Sequence, residues 1–576
     1  MNCYDRIVSN KITFTQHIAM RKIVFVLISV FMLISCKKQE KTEIQQEKEP
    51  GVVWQPYDEA ADLAATEMLE QTRMHLKLIN SKALDKNDIW ETLEPELDFF
   101  SEEKYDDLKK YILEKDIPTI QQQIKDGKLT YEDLTLFYIY RIRKYESDNA
   151  LSLNSVISLN PKVVEQARDL DKIDKKNIDV NSVFGMPILL KDNIGTKNML
   201  TTAGAVALQN NKGKSAFITE RLLNKNALIL GKANLSEWAY FLCSGCPVGY
   251  SAIGGQTLNP YGRMVFETGG SSSGSGVAVA ANFCVAAIGT ETSGSILSPS
   301  SQNSVVGLKP TIGVLSRTGI VPISSTLDTP GPMTKSVIDN AIVLNAITGK
   351  DDNDVASKAV DVNFVNSIKE SSLKEKRFGV IKEFLEDSIY KIAIEKIKKA
   401  GGEIIEIEPK QVQLPGFLSI LNIDMKNDLP AYISTQAGSD VTIKNIKDAI
   451  VFNQQDSINR IPYGQQLFEG ILEDSTTTEE LDSIKENLKT VARNYFDTHI
   501  DTHQLDAVLS INNYHAGYAA VAKYPALTVP MGYTSKGEPK GLTFIAKPFS
   551  EASLLQLGSA YEQVTKERKE PANYVD

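Results

Sequence analysis

At 576 residues, with 42% hydrophobic and 24% charged side chains, the chain can bury a large core, which excludes an intrinsically disordered protein. A formal charge of −10 excludes the basic surplus that captures phosphate backbones, so no nucleic acid partner is expected. Five cysteines in so long a chain exclude a disulfide framework.

A leader is expected at the start of the chain. From Met20, the expected true start, "MRKIVFVLISVFMLISC" places Arg21 and Lys22 before an apolar run too short to span a bilayer comfortably, the pattern of a signal peptide. Its ending, Leu33-Ile34-Ser35-Cys36, resembles the bacterial lipobox, which implies lipidation at Cys36. Residues 1–35 are therefore expected to be removed. "KKQEKTEIQQEKEPG" has no apolar periodicity, so residues 36–57 form a lipidated tether. Residues 58–116, with helical spacing in "AADLAATEMLEQTRMHLKLI" and almost no Gly or Pro, predict an all-helical extension packed against the main body.

From residue 117 to 576, helical stretches alternate with short apolar runs: "PILLK", "ALILGKA", "CVAAIG", "RFGVIKE", "LDAVLSI" and "ALTVPMG". That alternation predicts an α/β domain with a large mixed, mostly parallel sheet flanked by helices. "CSGC", Cys243 to Cys246, lacks the second pair a structural zinc site needs, and leaves a local disulfide or two free thiols open.

Chemistry collects where buried strands end in loops. "PILLK" puts Lys191 at such an end, either reaching out to solvent or being desolvated for a purpose. "GGSSSGSGVAVAAN" and "GTETSGSI" are serine-rich loops embedded between core elements, which a flexible linker would not be. "GSSSG" fits the G-x-S-x-G nucleophile elbow with Ser272 as nucleophile and His515 following, but no good strand precedes it. His499 and His503 lie four apart on a predicted helix without the glutamate of the metalloprotease motif, so a surface helix is expected there, with no metal.

"GMPILLKDN", "GGSSSGSGVAVAAN", "GTETSGSI" and "GLKPTIGVLSRTGIVPISSTLDTPGPM", in this order and spacing, resemble the amidase signature family, and "ANLSEWAYF" and "GGQTLNPYG" look most like its peptide amidase branch. The resemblance implies the amidase signature fold and a serine, serine, lysine triad of Ser295 as nucleophile, Ser271 as bridging serine and Lys191 as base. It implies an acyl-enzyme mechanism without cofactor or metal. Backbone N–H groups of Thr292, Ser293, Gly294 and Ser295 would hold the oxyanion, Gly294 permitting the tight turn. Glu291 would fix this loop by hydrogen bonding. Two departures stand out: Ser293 where the family commonly has glycine or aspartate, and Leu297 where an arginine often follows, which removes a cation from any borrowed substrate pocket.

The expected function is hydrolysis of a carboxylic amide, the C-terminal amide of a peptide or amino acid among the candidates, by an exported enzyme anchored through Cys36 to a bacterial membrane. A rival reading is an esterase or lipid amidase on the same triad. A rival of another class is a non-catalytic binding lipoprotein on the same scaffold.

Overall fold

The computed structural model describes residues 52–575, and the leader, Met20 and Cys36 lie outside them. Among the described residues, eleven strands form one sheet. In chain order they are β1 (Val156–Leu159), β2 (Pro187–Lys191), β3 (Leu228–Ala233), then, after a small hairpin of β4 (Tyr250–Ser251) and β5 (Gly255–Gln256), β6 (Ala286–Glu291), β7 (Val306–Lys309), β8 (Thr329–Thr334), β9 (Arg377–Ile381), β10 (Glu403–Ile407), β11 (Ala507–Ile511), β12 (Ala526–Tyr533) and β13 (Pro539–Ile545). Their spatial order is β1-β3-β2-β6-β8-β7-β12-β13-β11-β9-β10.

Both faces of the sheet are buried except at the edge strand β10, where Glu403 and Glu406 are exposed. Along β11, Leu509 packs into one hydrophobic core and its neighbour Val508 into the other; Phe544 and Ile545 of β13 divide the same way. Successive side chains point to opposite faces, so a strand covered on both sides reads as a continuous apolar run. This is why "PILLK" and "LDAVLSI" announce themselves in the sequence.

The sheet is mixed, but the expectation that it is mostly parallel needs correcting. Parallel pairing is confined to β3-β2-β6 and β11-β9-β10. Antiparallel pairing joins β1 to β3 and runs through β6-β8-β7-β12-β13-β11. The connections explain the difference. β12 and β13 are joined by a five-residue turn, and β7 to β8 by a loop without a helix, whereas a parallel pair needs a crossover, here the helix Phe217–Asn224 before β3.

The all-helical extension also differs. Helix occupies Ala60–Glu67, Glu94–Leu97 and Glu102–Ile112, with turns and short 3-10 segments between. Side chains there capture backbone donors that a continuous helix would have used. The buried Glu59 carboxylate accepts from Ile79 N at 3.0 Å and from Asn80 N at 2.9 Å, and Thr66 Oγ1 accepts from Leu76 N at 3.0 Å. The chain folds back and buries Leu76 and Ile79, so the apolar spacing reflected packing rather than helix.

Candidate active site

The site lies at the carboxyl ends of the parallel strands β2 and β6. In register, Leu190 opposes Ile288, which brings Lys191 at the end of β2 alongside the last residues of β6. Helix Ser273–Ala280 crosses beneath these strands. Its small residues permit the approach: a Cβ on Gly274 would come within 2.4 Å of Ser155 O. The serine-rich segment thus has two parts, a turn through Ser271 and the first turn of a buried helix.

Lys191 and Ser271 are both 0% exposed, and Lys191 Nζ lies 2.8 Å from Ser271 Oγ. Its other partners are Thr290 O at 3.1 Å and Thr290 Oγ1 at 2.9 Å. All three are neutral oxygens. Burial pushes the Lys191 amine down to about 7, against the weaker pull of the Asp328 and Glu291 carboxylates in the opposite direction.

Ser295 is 8% exposed, in the loop that leaves β6. Ser272 N donates to Ser295 O at 3.2 Å, tying the two serine segments together, while Ser236 N holds Ser271 O at 3.0 Å. Gly294 takes φ +86°, where any side chain would be strained. Glu291 pins the far side of the turn, its Oε2 accepting from Ile296 N at 2.8 Å and Leu297 N at 3.0 Å. Among the described residues, the N–H groups of Ser293, Gly294 and Ser295 meet no acceptor. The loop is therefore held rigidly while presenting free donors. Thr292 turns its hydroxyl to Asp328 Oδ1 at 2.5 Å.

Three residues that the sequence did not single out complete the arrangement. Thr290 is the hub: Asn193 Nδ2 also donates to its Oγ1, at 3.0 Å. Asn193 stands two positions past Lys191. Asp328 accepts from Ile323 N at 2.8 Å and Ser324 N at 2.9 Å besides Thr292, and burial raises its carboxyl to about 6. Its signal was its place in the quoted "STLDTPGPM", but only the fold brings it to Thr292.

Other sequence candidates take structural places. Ser272 Oγ is engaged on both sides by Thr290, donating to its O at 3.1 Å and accepting from its N at 3.2 Å, so it is not free to act as an elbow nucleophile. His515 bonds Ser510 Oγ at 2.7 Å and Tyr495 OH at 2.8 Å, and burial lowers it to about 4. His499 and His503 stack ring on ring along the helix Thr478–His503. Among the described residues, no group of three or more His, Cys, Asp or Glu side chains is placed to hold a metal ion. Cys243 and Cys246 form a disulfide, resolving the alternative that the sequence left open.

The Amidase family model matches residues 133–555. A "Probable amidase" of Arabidopsis thaliana is 35% identical over 480 residues, covering 80% of this chain and 92% of that protein. Among solved structures, an amidase family protein from Bacillus anthracis superposes with a TM-score of 0.81 at 36% identity, over 86% of this chain and 99% of the other. The native peptide amidase from Stenotrophomonas maltophilia superposes with a TM-score of 0.75 at 36% identity, over 80% of this chain and 98% of the other. With this fold, this arrangement of motifs and these relatives, the chain belongs to the amidase signature family and is an amide-hydrolysing enzyme.

Proposed function

We propose that Ser295, Ser271 and Lys191 act as the triad of an acyl-enzyme amidase. The observation that carries this reading is the buried Lys191 amine, lowered to about 7 and 2.8 Å from Ser271 Oγ. A neutral amine has two N–H donors and one lone pair. Thr290 O can only accept, so it takes one N–H; Thr290 Oγ1 takes the other, its second lone pair being filled by Asn193 Nδ2. The lone pair remains for the Ser271 hydroxyl proton. Ser271 Oγ in turn receives the proton of Ser295 as Ser295 Oγ attacks the amide carbonyl.

The C–O bond to Ser295 forms as the carbonyl π electrons move to oxygen, and the backbone N–H groups between Thr292 and Ser295 stabilise that oxyanion. On collapse the C–N bond breaks, and the leaving nitrogen takes the proton back through Ser271. Water, deprotonated by the same relay, then cleaves the acyl ester and releases a carboxylate. Likeness to the peptide amidase favours amides of peptides or amino acids as substrates.

Labelling by a fluorophosphonate tests the nucleophile: modification is expected at Ser295 and lost in Ser295→Ala, whereas modification at Ser272 would contradict the reading. The proposal extends to location. The leader and Cys36 make this an exported, lipid-anchored enzyme at a bacterial membrane. Radiolabelled palmitate should enter the wild type and not Cys36→Ser; equal labelling would rule the anchor out.

A further inference from the structure

Beside Thr290 and Thr292 opens a cavity of about 280 Å³. Its volume suits one amino-acid residue rather than a long acyl chain. Its walls are unbalanced in charge. The cation among them is Arg317, and each guanidinium nitrogen is already engaged: Nε donates to Asp354 Oδ2 at 2.9 Å, Nη2 to Asp354 Oδ1 and Nη1 to Ser325 O. Asp428, on the same wall and partly exposed, accepts from Ser325 N at 2.6 Å and has no basic side chain within ion-pair distance among the described residues. Asp328 adds a second acid.

The cavity therefore offers negative charge, while the lining cation Arg317 is already paired with Asp354.

We infer that this cavity is the subsite for the acyl side of the substrate, that it selects carboxamides whose acyl residue is cationic over those bearing a carboxylate, and that Asp428 determines this preference. The inference rests on the amidase reading of the adjoining loop. A carboxylate entering the cavity would meet Asp428 and Asp328 with no free cation to pair with. A guanidinium or ammonium group would find in Asp428 a carboxylate without an ion pair among the described residues, pulled on by Arg317 only at longer range.

The test compares three amides: N-acetyl-argininamide, N-acetyl-citrullinamide, which keeps the shape and N–H groups without the charge, and the α-amide of N-acetylglutamate. In the wild type kcat/KM should fall in that order, the arginine and citrulline amides differing by about tenfold or more, since one close charge pair in a half-buried setting supplies at least that. Asp428→Asn keeps an oxygen for Ser325 N, and should abolish the arginine-over-citrulline preference; a preference retained at its wild-type size would overturn the inference. Equal turnover of the arginine and citrulline amides by the wild type overturns the inference even if the variant does not fold. Failure to hydrolyse any amide would instead sink the amidase reading beneath it.

Discussion

Two lysines stand on adjacent parallel strands, and both are buried completely. Lys232, on β3, lies 3.0 Å from Asp192 Oδ1 and donates to Thr201 Oγ1 at 2.9 Å. Lys191, on β2, touches only neutral oxygens. Burial lowers both amines, but at Lys232 the carboxylate of Asp192 offsets part of the effect, whereas Lys191 falls to about 7. Depth alone does not make a base. What distinguishes the two is whether the amine meets a carboxylate or hydroxyls, and Asp192, the residue that follows Lys191 in the chain, is turned to the other lysine.

The contrast predicts opposite phenotypes. Removing the Ser295 hydroxyl should cost the most in function: Ser295→Ala should lower kcat/KM by about 10³-fold or more, with a melting temperature close to wild type, because the side chain supports chemistry rather than packing. Residual activity within tenfold of wild type would place the nucleophile elsewhere. Lys232→Met should instead be a stability variant. It strands Asp192 as a buried unpaired charge, a loss of about 3–5 kcal/mol, readable by urea denaturation. At a temperature where the variant stays folded, its pH–rate profile should match that of the wild type. A changed profile would mean that Lys232 shares the proton chemistry and would dissolve the distinction. His515→Ala should have the smallest effect, under about tenfold in kcat/KM, because its two ring nitrogens serve Ser510 and Tyr495.

The sequence separates the two lysines only in part. "PILLK" marks Lys191 because the charge falls where an apolar run stops, and the motif order assigns it a role. "ALILGKA" holds Lys232 just as plainly, yet nothing local shows that its partner is Asp192, forty positions earlier and just past the end of β2. The same limit hides Asp328 and Thr290, whose contacts to Thr292 and Lys191 are made by the fold. Strand direction was illegible for a different reason: a strand buried on both faces shows the same apolar run in a parallel or an antiparallel ladder, so β12 gave no sign of its pairing, while β8, TPGPMT, carries no apolar run at all. Between residues 58 and 100 helical spacing misled, since Glu59 and Thr66 take the backbone donors and the apolar residues pack from turns. The serine loops were more legible, because glycine and serine between core elements leave few arrangements, and Gly294 at φ +86° is one that the sequence indicated.

Catalysis turns on Lys191 accepting a proton, and the pH dependence of kcat/KM in wild type and Lys191→Arg tests that most directly. Only the neutral amine can act, so wild-type kcat/KM should rise with pH through an apparent pKa of about 7, the value to which burial brings Lys191. Arginine keeps the charge but does not deprotonate in this range, so Lys191→Arg should be as inactive as Lys191→Ala across the whole profile. A wild-type profile rising only near the ordinary lysine value of about 10.4, or a Lys191→Arg variant retaining more than about a tenth of wild-type kcat/KM, would contradict the general-base role.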